Sequence, residues 1–146
     1  DVMASAAKKV KTDSSKLRLL SAWFCPYAQR AWIACEEKLG AGKYELVNAM
    51  EIAEDRVSYI KEKELLESSP RGLVPVVINY CGPSGAKEVV YESLVCVEYI
   101  DETSGPKLLS GSTVDRAKSR IWADFCNKQI ISEFYRMLVR TDVQER

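Results

Sequence analysis

The sequence predicts a mixed α/β layer domain followed by a helical segment, and three observations lead to that reading. A short apolar run at 17–21 passes through a helix-period stretch into a second apolar run at 44–48, the pattern of a βαβ unit with parallel strands. The β-branched run 73–80 is followed by a turn-rich stretch and a short return run, the pattern of a hairpin. From Thr113 onward apolar residues recur at helical spacing toward the end of the chain. The chain has 146 residues, the size of one domain of about 100–150 residues. A second complete domain does not fit.

Each element has its own signal. Residues 1–15, DVMASAAKKVKTDSS, are small, polar and basic without periodicity, which predicts a disordered or extended lead-in. Its lysines Lys8, Lys9 and Lys11, with Lys16, form the only basic cluster and read as a solvated end. LRLLS (17–21) is a strand candidate. After Trp23, Phe24, Cys25 and Pro26, the residues Ala28, Ala31, Trp32, Cys35 and Leu39 fall at three- and four-residue intervals, with Gln29, Arg30, Glu36, Glu37 and Lys38 on the other face. Gly40 and Gly42 supply the stop. YELVN (44–48) predicts a second strand, and the Glu, Lys and Leu content of 54–66 predicts a helix running up to Ser68-Ser69-Pro70.

LVPVVINY (73–80) predicts a third strand, CGPSGAK (81–87) a turn, and VVY (89–91) its hairpin partner. ESLVCVEYIDET (92–103) has a helical pattern closed by Ser104-Gly105-Pro106. A linker follows, and Ser112-x-x-Asp115 is a capping-box signature opening a helix with Val114, Ala117, Ile121, Trp122, Phe125, Ile130, Phe134 and Leu138 at helical spacing. The apolar face of that helix, with Trp122, Phe125, Phe134 and Tyr135, is broader than one small domain can cover.

Composition excludes several kinds of chemistry. The chain has no histidine, so Ser-His-Asp hydrolysis, Cys-His proteolysis and imidazole-ligated zinc are ruled out, and no metal site is expected. With 21 Lys+Arg against 21 Asp+Glu, no basic footprint for nucleic acid exists. No apolar run approaches the ~20 residues of a membrane span, and no charged n-region and apolar h-region open the chain. A soluble, cytoplasmic protein is expected. Five cysteines, odd in number and never spaced C-x-x-C, argue against a disulfide framework and for reduced thiols.

Cys25-Pro26 is the most informative pair. Proline is favoured at the first helical position, which would place Cys25 at the N-cap, where unpaired N–H groups and the helix dipole stabilise a thiolate. Helix N-terminal cysteines have pKa values lowered to roughly 3.5–7.5, so nucleophilic chemistry needs no histidine. Ala28 stands where a dithiol motif would carry a second cysteine, so a redox cycle would need an external thiol. A small buried cysteine is the plainer reading. Cys35, Cys96 and Cys126 lie on apolar helix faces and read as core, and Cys81 as a turn thiol. Val74-Pro75 places a proline inside an apolar strand, which requires an edge, a bulge or a cis bond. At Glu92-Ser93, where the hairpin gives way to a helix, N–H groups and a hydroxyl could hold a carboxylate. Ordinary capping explains the same pair.

Taken together, WFCPYAQRAW, PRGLVPVV and YESLVCVEYIDE, in this order, resemble the cysteine-type glutathione transferases, most closely the omega class and its fungal relatives. The resemblance runs from Leu17 to about Leu109, and LLSGSTVDRAKSRIWADFCNKQIISEFYR looks like the linker and first helix of that family's helical domain. It implies a thioredoxin-like glutathione-binding domain over 16–104, a linker at 105–112, and at 113–146 the truncated start of an all-α C-terminal domain. Cys25 would be the catalytic thiol. Val74, before a cis Pro75, would pair its backbone with the cysteinyl part of glutathione. Glu92 would meet the γ-glutamyl amine and Ser93 its carboxylate, while Lys61 would meet the glycine carboxylate, with Lys63 the alternative.

Glutathione would be the co-substrate, without a metal. Glutathione mixed disulfides, small or protein-borne, would be the partners, and the full-length protein a homodimer. The implied activity is glutathione-dependent thiol transfer with dehydroascorbate reduction. A glutathione-conjugating detoxification enzyme and a non-catalytic binding or scaffold protein are the alternatives.

Overall fold

The computed structural model describes residues 16–139. The expected lead-in 1–15 lies outside the described residues. The contacts divide the chain into two compact units, meeting at Gly105 and Pro106.

The first unit contains β1 (Arg18–Ser21), α1 (Pro26–Lys38), β2 (Glu45–Asn48), β3 (Met50–Ile52), β4 (Tyr59–Lys61), α2 (Lys63–Ser68), β5 (Val76–Asn79), β6 (Glu88–Tyr91) and α3 (Ser93–Thr103). Its main sheet has the order β2-β1-β5-β6. β1 and β2 are parallel, with Leu19 opposite Leu46, as the βαβ reading expects. β5 runs antiparallel to β1, and β6 antiparallel to β5, which makes 76–91 the expected hairpin. The ladder of β5 begins at Val76 rather than Leu73. Proline at 75 has no N–H to donate to it.

Alternation along the strands builds three layers. Leu19 and Val77 point to one face, where they pack with Ala31, Ala34 and Cys35 of α1 and Cys96 and Ile100 of α3. Leu20, Val76 and Ile78 point to the other, where they pack with Leu65 of α2 and with Ala22, Cys25, Ala28 and Val74. Small residues at 28, 31 and 34 let α1 approach the sheet closely, which positions its N-terminus beside the end of β1. The far ends of α1 and α3 are joined by a buried ion pair, Lys38 Nζ to Asp101 Oδ1 at 2.7 Å, with the same ammonium donating to the Asp101 carbonyl at 2.9 Å. On the opposite side Arg18 joins three elements. It donates to both Glu45 carboxylate oxygens at 2.8 Å and lies 3.0 Å from Glu64.

Residues 54–66 depart from the expected helix. β3 and β4 form a two-stranded antiparallel hairpin, Met50 opposite Lys61, and α2 is confined to six residues. The cause is local. Asp55 accepts from Val57 N–H, Ser58 N–H and the Ser58 hydroxyl at 2.9, 2.9 and 2.6 Å, and Arg56 takes a left-handed φ of 57°. Such an Asp-centred turn competes directly with helix hydrogen bonding. Tyr59 of the hairpin stacks on Phe24 at 5.8 Å, a long-range contact that rewards the extended form.

The second unit is helical: α4 (Thr113–Phe125), a π-helical stretch (Cys126–Ile131) and α5 (Ser132–Val139). The capping box at its start is present, with Asp115 N–H donating to Ser112 Oγ at 3.2 Å and Ser112 N–H to Asp115 Oδ2 at 2.9 Å. The single expected helix therefore follows without a gap as α4, six π-helical residues and α5. Cys126, expected in a core, is exposed, because α4 and the π-helical stretch bury no residue. Among the described residues no helix is long and apolar enough to cross a membrane.

Candidate functional site

Three chain junctions carry the residues singled out from the sequence: β1 to α1, α2 to β5, and β6 to α3. At the first, Cys25 is the N-cap of α1, in extended conformation with φ −90° and ψ 112°, and Pro26 follows at the first helical position. Its N–H donates to the Ala22 carbonyl at 3.0 Å, and its carbonyl accepts from Gln29 N–H at 3.1 Å. The backbone of Cys25 is thus committed while its thiol makes no capping hydrogen bond. Pro26 has no N–H, so the first backbone donor of α1 after Cys25 belongs to Tyr27. The rings of Trp23 and Phe24, which precede Cys25 in the chain, meet edge to face with centroids 5.7 Å apart, and Trp23 is exposed.

The second junction brings Val74 into the same packed cluster as Cys25, each 8% exposed. The Val74–Pro75 peptide bond is cis. Two residues earlier, Gly72 has a left-handed φ of 57°, and a Cβ there would press on Leu66 Cδ2 at 3.0 Å and stand 3.4 Å from Lys61 Nζ. The backbone conformation and Leu66 call for glycine at 72, and the Lys61 ammonium lies beside this segment leading to Val74. Lys63 is placed differently. It pairs with Glu67 one turn along α2 and is 88% exposed, on the solvent side of the helix.

At the third junction Glu92 is the N-cap of α3 and adopts a left-handed φ of 72°. It does not cap with its side chain, which pairs instead with Arg71. Ser93 Oγ accepts from Arg30 Nη1 at 3.0 Å, and the Arg30 guanidinium lies 4.9 Å from the centre of the Tyr27 ring. Contacts therefore tie the helix begun by Cys25 to Ser93, and the segment preceding Val74 to Glu92. Arg30 and Arg71 were not singled out from the sequence. Nothing in local spacing marks them, since each meets its partner across more than 20 residues.

The remaining thiols are chemically distinct from one another. Cys35 and Cys96 are fully buried, and burial pushes both up to about 12, so they stay protonated and inert at neutral pH. Cys81 and Cys126 are exposed. Among the described residues no group of His, Cys, Asp and Glu is arranged to hold a metal ion.

The family model for the N-terminal domain of glutathione S-transferase matches residues 24–103. The chain belongs to the glutathione S-transferase family. Its three-layered first unit is the thioredoxin-like N-terminal domain of that family, and the second is helical, as in the family's C-terminal part. A probable glutathione S-transferase of Nicotiana tabacum is 35% identical over 127 residues, covering 84% of this chain and 50% of the relative. Among solved structures, glutathione transferase Omega 3C of Trametes versicolor is 33% identical with a TM-score of 0.65, over 89% of this chain and 51% of that one. The Tau class glutathione S-transferase MiGSTU of mango is 28% identical with a TM-score of 0.67, over 90% and 55%. Rice GST1, solved in complex with glutathione, is 26% identical with a TM-score of 0.66, over 92% and 56%. The glutathione S-transferase chain described here spans about half the length of the curated relatives it matches.

The likeness thus extends to both omega and Tau relatives, and it fixes the family without choosing between those classes. All six residues singled out, Cys25, Lys61, Val74, Pro75, Glu92 and Ser93, lie inside the matched segment.

Proposed function

We propose that this glutathione S-transferase chain carries the glutathione-binding half of a thiol transferase in which Cys25 is the nucleophile. The observation that carries the reading is a cysteine at the N-cap of α1, immediately before a proline, packed in one cluster with Val74. Val74 would offer its backbone to the cysteinyl part of glutathione, Glu92 its carboxylate to the γ-glutamyl ammonium, Ser93 its hydroxyl to the carboxylate on the same carbon, and Lys61 its ammonium to the glycine carboxylate. A glutathione sulfur held by Val74 would then lie beside the Cys25 sulfur.

The chemistry is two thiol–disulfide exchanges. The Cys25 thiolate attacks the glutathione sulfur of a mixed disulfide; a Cys25–glutathione bond forms, the original disulfide breaks, and the substrate leaves as a thiolate that takes a proton from solvent. A second glutathione, as thiolate, attacks the new bond and releases oxidised glutathione and the Cys25 thiolate. One protein thiol suffices, which agrees with alanine at 28. Dehydroascorbate would be reduced by the same pair of glutathiones. Relatives of Tau class favour a second reading, conjugation of glutathione to electrophiles, for which a cysteine beside the glutathione sulfur is not required.

Treatment with oxidised glutathione followed by intact mass and peptide mapping tests the main reading. A single adduct of one glutathione on Cys25 is expected, with none on Cys35 or Cys96. Modification confined to Cys81 or Cys126 would overturn it, and turnover of a chromogenic aryl halide by a chain without Cys25 would favour conjugation.

The two lysines separate in a binding measurement. Lys61→Ala is expected to weaken glutathione binding about tenfold, the size of one partly exposed charge-assisted contact. Lys63→Ala should leave it within about twofold, because an exposed pair one helical turn away contributes little. Equal losses in both variants would count against Lys61.

A further inference from the structure

We infer that Arg71 is a specificity residue of the glutathione pocket, and that Arg71 and Glu92 together form a charge pair complementary to the zwitterionic α-amino-acid head of the γ-glutamyl group. The inference rests on the proposed glutathione-binding reading and adds to it a residue on the loop between α2 and β5.

Three observations support it. First, Glu92 sits at the N-cap of α3 without capping it, in a left-handed backbone conformation that non-glycine residues rarely adopt. Its carbonyl is held by Cys96 N–H at 2.8 Å, so the backbone is fixed while the carboxylate is turned to another partner. Second, that partner is the Arg71 guanidinium, and the two side chains remain 66% and 52% exposed. A surface pair of this kind contributes little to folding and exchanges partners readily. Third, Arg71 immediately precedes Gly72, beside which the Lys61 ammonium lies, and stands three residues before Val74.

The charges explain what the pair can recognise. An α-amino-acid head carries an ammonium and a carboxylate on one carbon. Without Arg71, Glu92 would hold the ammonium and the carboxylate would meet the Ser93 hydroxyl, which itself accepts from Arg30 at 3.0 Å. With Arg71 beside Glu92, the ammonium can donate to a Glu92 oxygen while the guanidinium, which has several donors in a planar fork, donates to the ligand carboxylate without releasing Glu92 completely. Two opposite dipoles lying side by side attract at both ends. Thiols that lack the zwitterionic head gain from neither end, so the pair selects glutathione over simpler thiols.

Calorimetric titration of the 146-residue chain with glutathione, and with an analogue whose γ-glutamyl carboxylate is replaced by hydrogen, tests the assignment. Arg71→Ala is expected to raise the Kd for glutathione about tenfold and to leave the analogue's Kd unchanged. Arg71→Lys should recover part of the loss, since it restores the charge but not the fork. In steady state the KM for glutathione should rise with kcat within about twofold. An unchanged or lower Kd for glutathione in Arg71→Ala would overturn the inference, the lower value meaning that Arg71 only competes for Glu92. So would an equal loss for glutathione and analogue, which would mark a structural role. Failure of the underlying reading looks different: the wild-type chain would then bind no glutathione, and the Arg71 assignment would fall with it.

Discussion

Cys25→Ser is expected to lower glutathione-dependent reduction of a mixed disulfide by on the order of a thousandfold or more, while the Kd for glutathione changes less than about threefold. A serine hydroxyl is not ionised by a helix N-terminus at neutral pH and cannot form the disulfide intermediate, so both exchange steps stop. Binding survives because the contacts proposed for glutathione come from Lys61, Val74, Glu92 and Ser93, and serine fits the space of a cysteine that is 8% exposed. No other thiol takes over. Cys35 and Cys96 are buried and held up at about 12, and Cys81 and Cys126, though exposed, stand on a turn and a helix rather than at the N-cap. Turnover in the variant equal to the wild type would remove Cys25 from the mechanism. A parallel loss of binding would instead show that the substitution had disturbed the pocket.

The other large effect concerns stability. Lys38→Met is expected to cost about 3–5 kcal/mol, because it removes the ammonium that meets the buried Asp101 carboxylate at 2.7 Å. The Lys38 and Asp101 side chains are only 1% and 6% exposed, so water cannot replace the lost ammonium. Such a loss is a large part of the 5–15 kcal/mol typical of a domain. The double variant Lys38→Met/Asp101→Leu should recover most of it, since it also removes the buried carboxylate that the single variant deprives of its ammonium. Urea unfolding of the three chains reads this out; a loss below about 1 kcal/mol in the single variant would mean that the site opens to water. The consequence reaches function, because the pair joins the far ends of the two helices whose N-termini bear Cys25 and Ser93. Arg30 ties the same two helices near the site.

Much of this architecture can be read along the chain. Alternation in LRLLS and VPVVIN put Leu19 and Val77 on one face and Leu20 and Val76 on the other, and it is visible as apolar runs of strand length. Gly40, with its φ of 86°, marks the end of α1, and Ser112 with Asp115 the start of α4. These signals are local: a helix cap or a turn is satisfied by residues three or four positions away. The error at 54–66 has the same origin. Glu, Lys and Leu favour a helix there, yet the Asp55 turn and the stacking of Tyr59 on Phe24 produce a hairpin, and only the second of these competes over a long range. The unbroken periodicity from Thr113 likewise carries no mark of the π-helical stretch at Cys126–Ile131.

The site divides along the same line. Cys25 before a proline, a proline after Val74, and Glu92-Ser93 at a hairpin-to-helix boundary are chemical statements made by adjacent residues, so the chain order alone reveals the thiol, the constrained strand and the helix start. Arg71 beside Glu92, Arg30 on Ser93, Lys61 rather than Lys63 next to Gly72, and Lys38 buried on Asp101 are decided only when the strands take the order β2-β1-β5-β6 and α1 and α3 share one face of the sheet. The physical reason is reach. Capping, turn formation and strand alternation are fixed by bonds between near neighbours, whereas a charge finds its partner by burial and distance in the folded layers, which the linear order of residues does not specify.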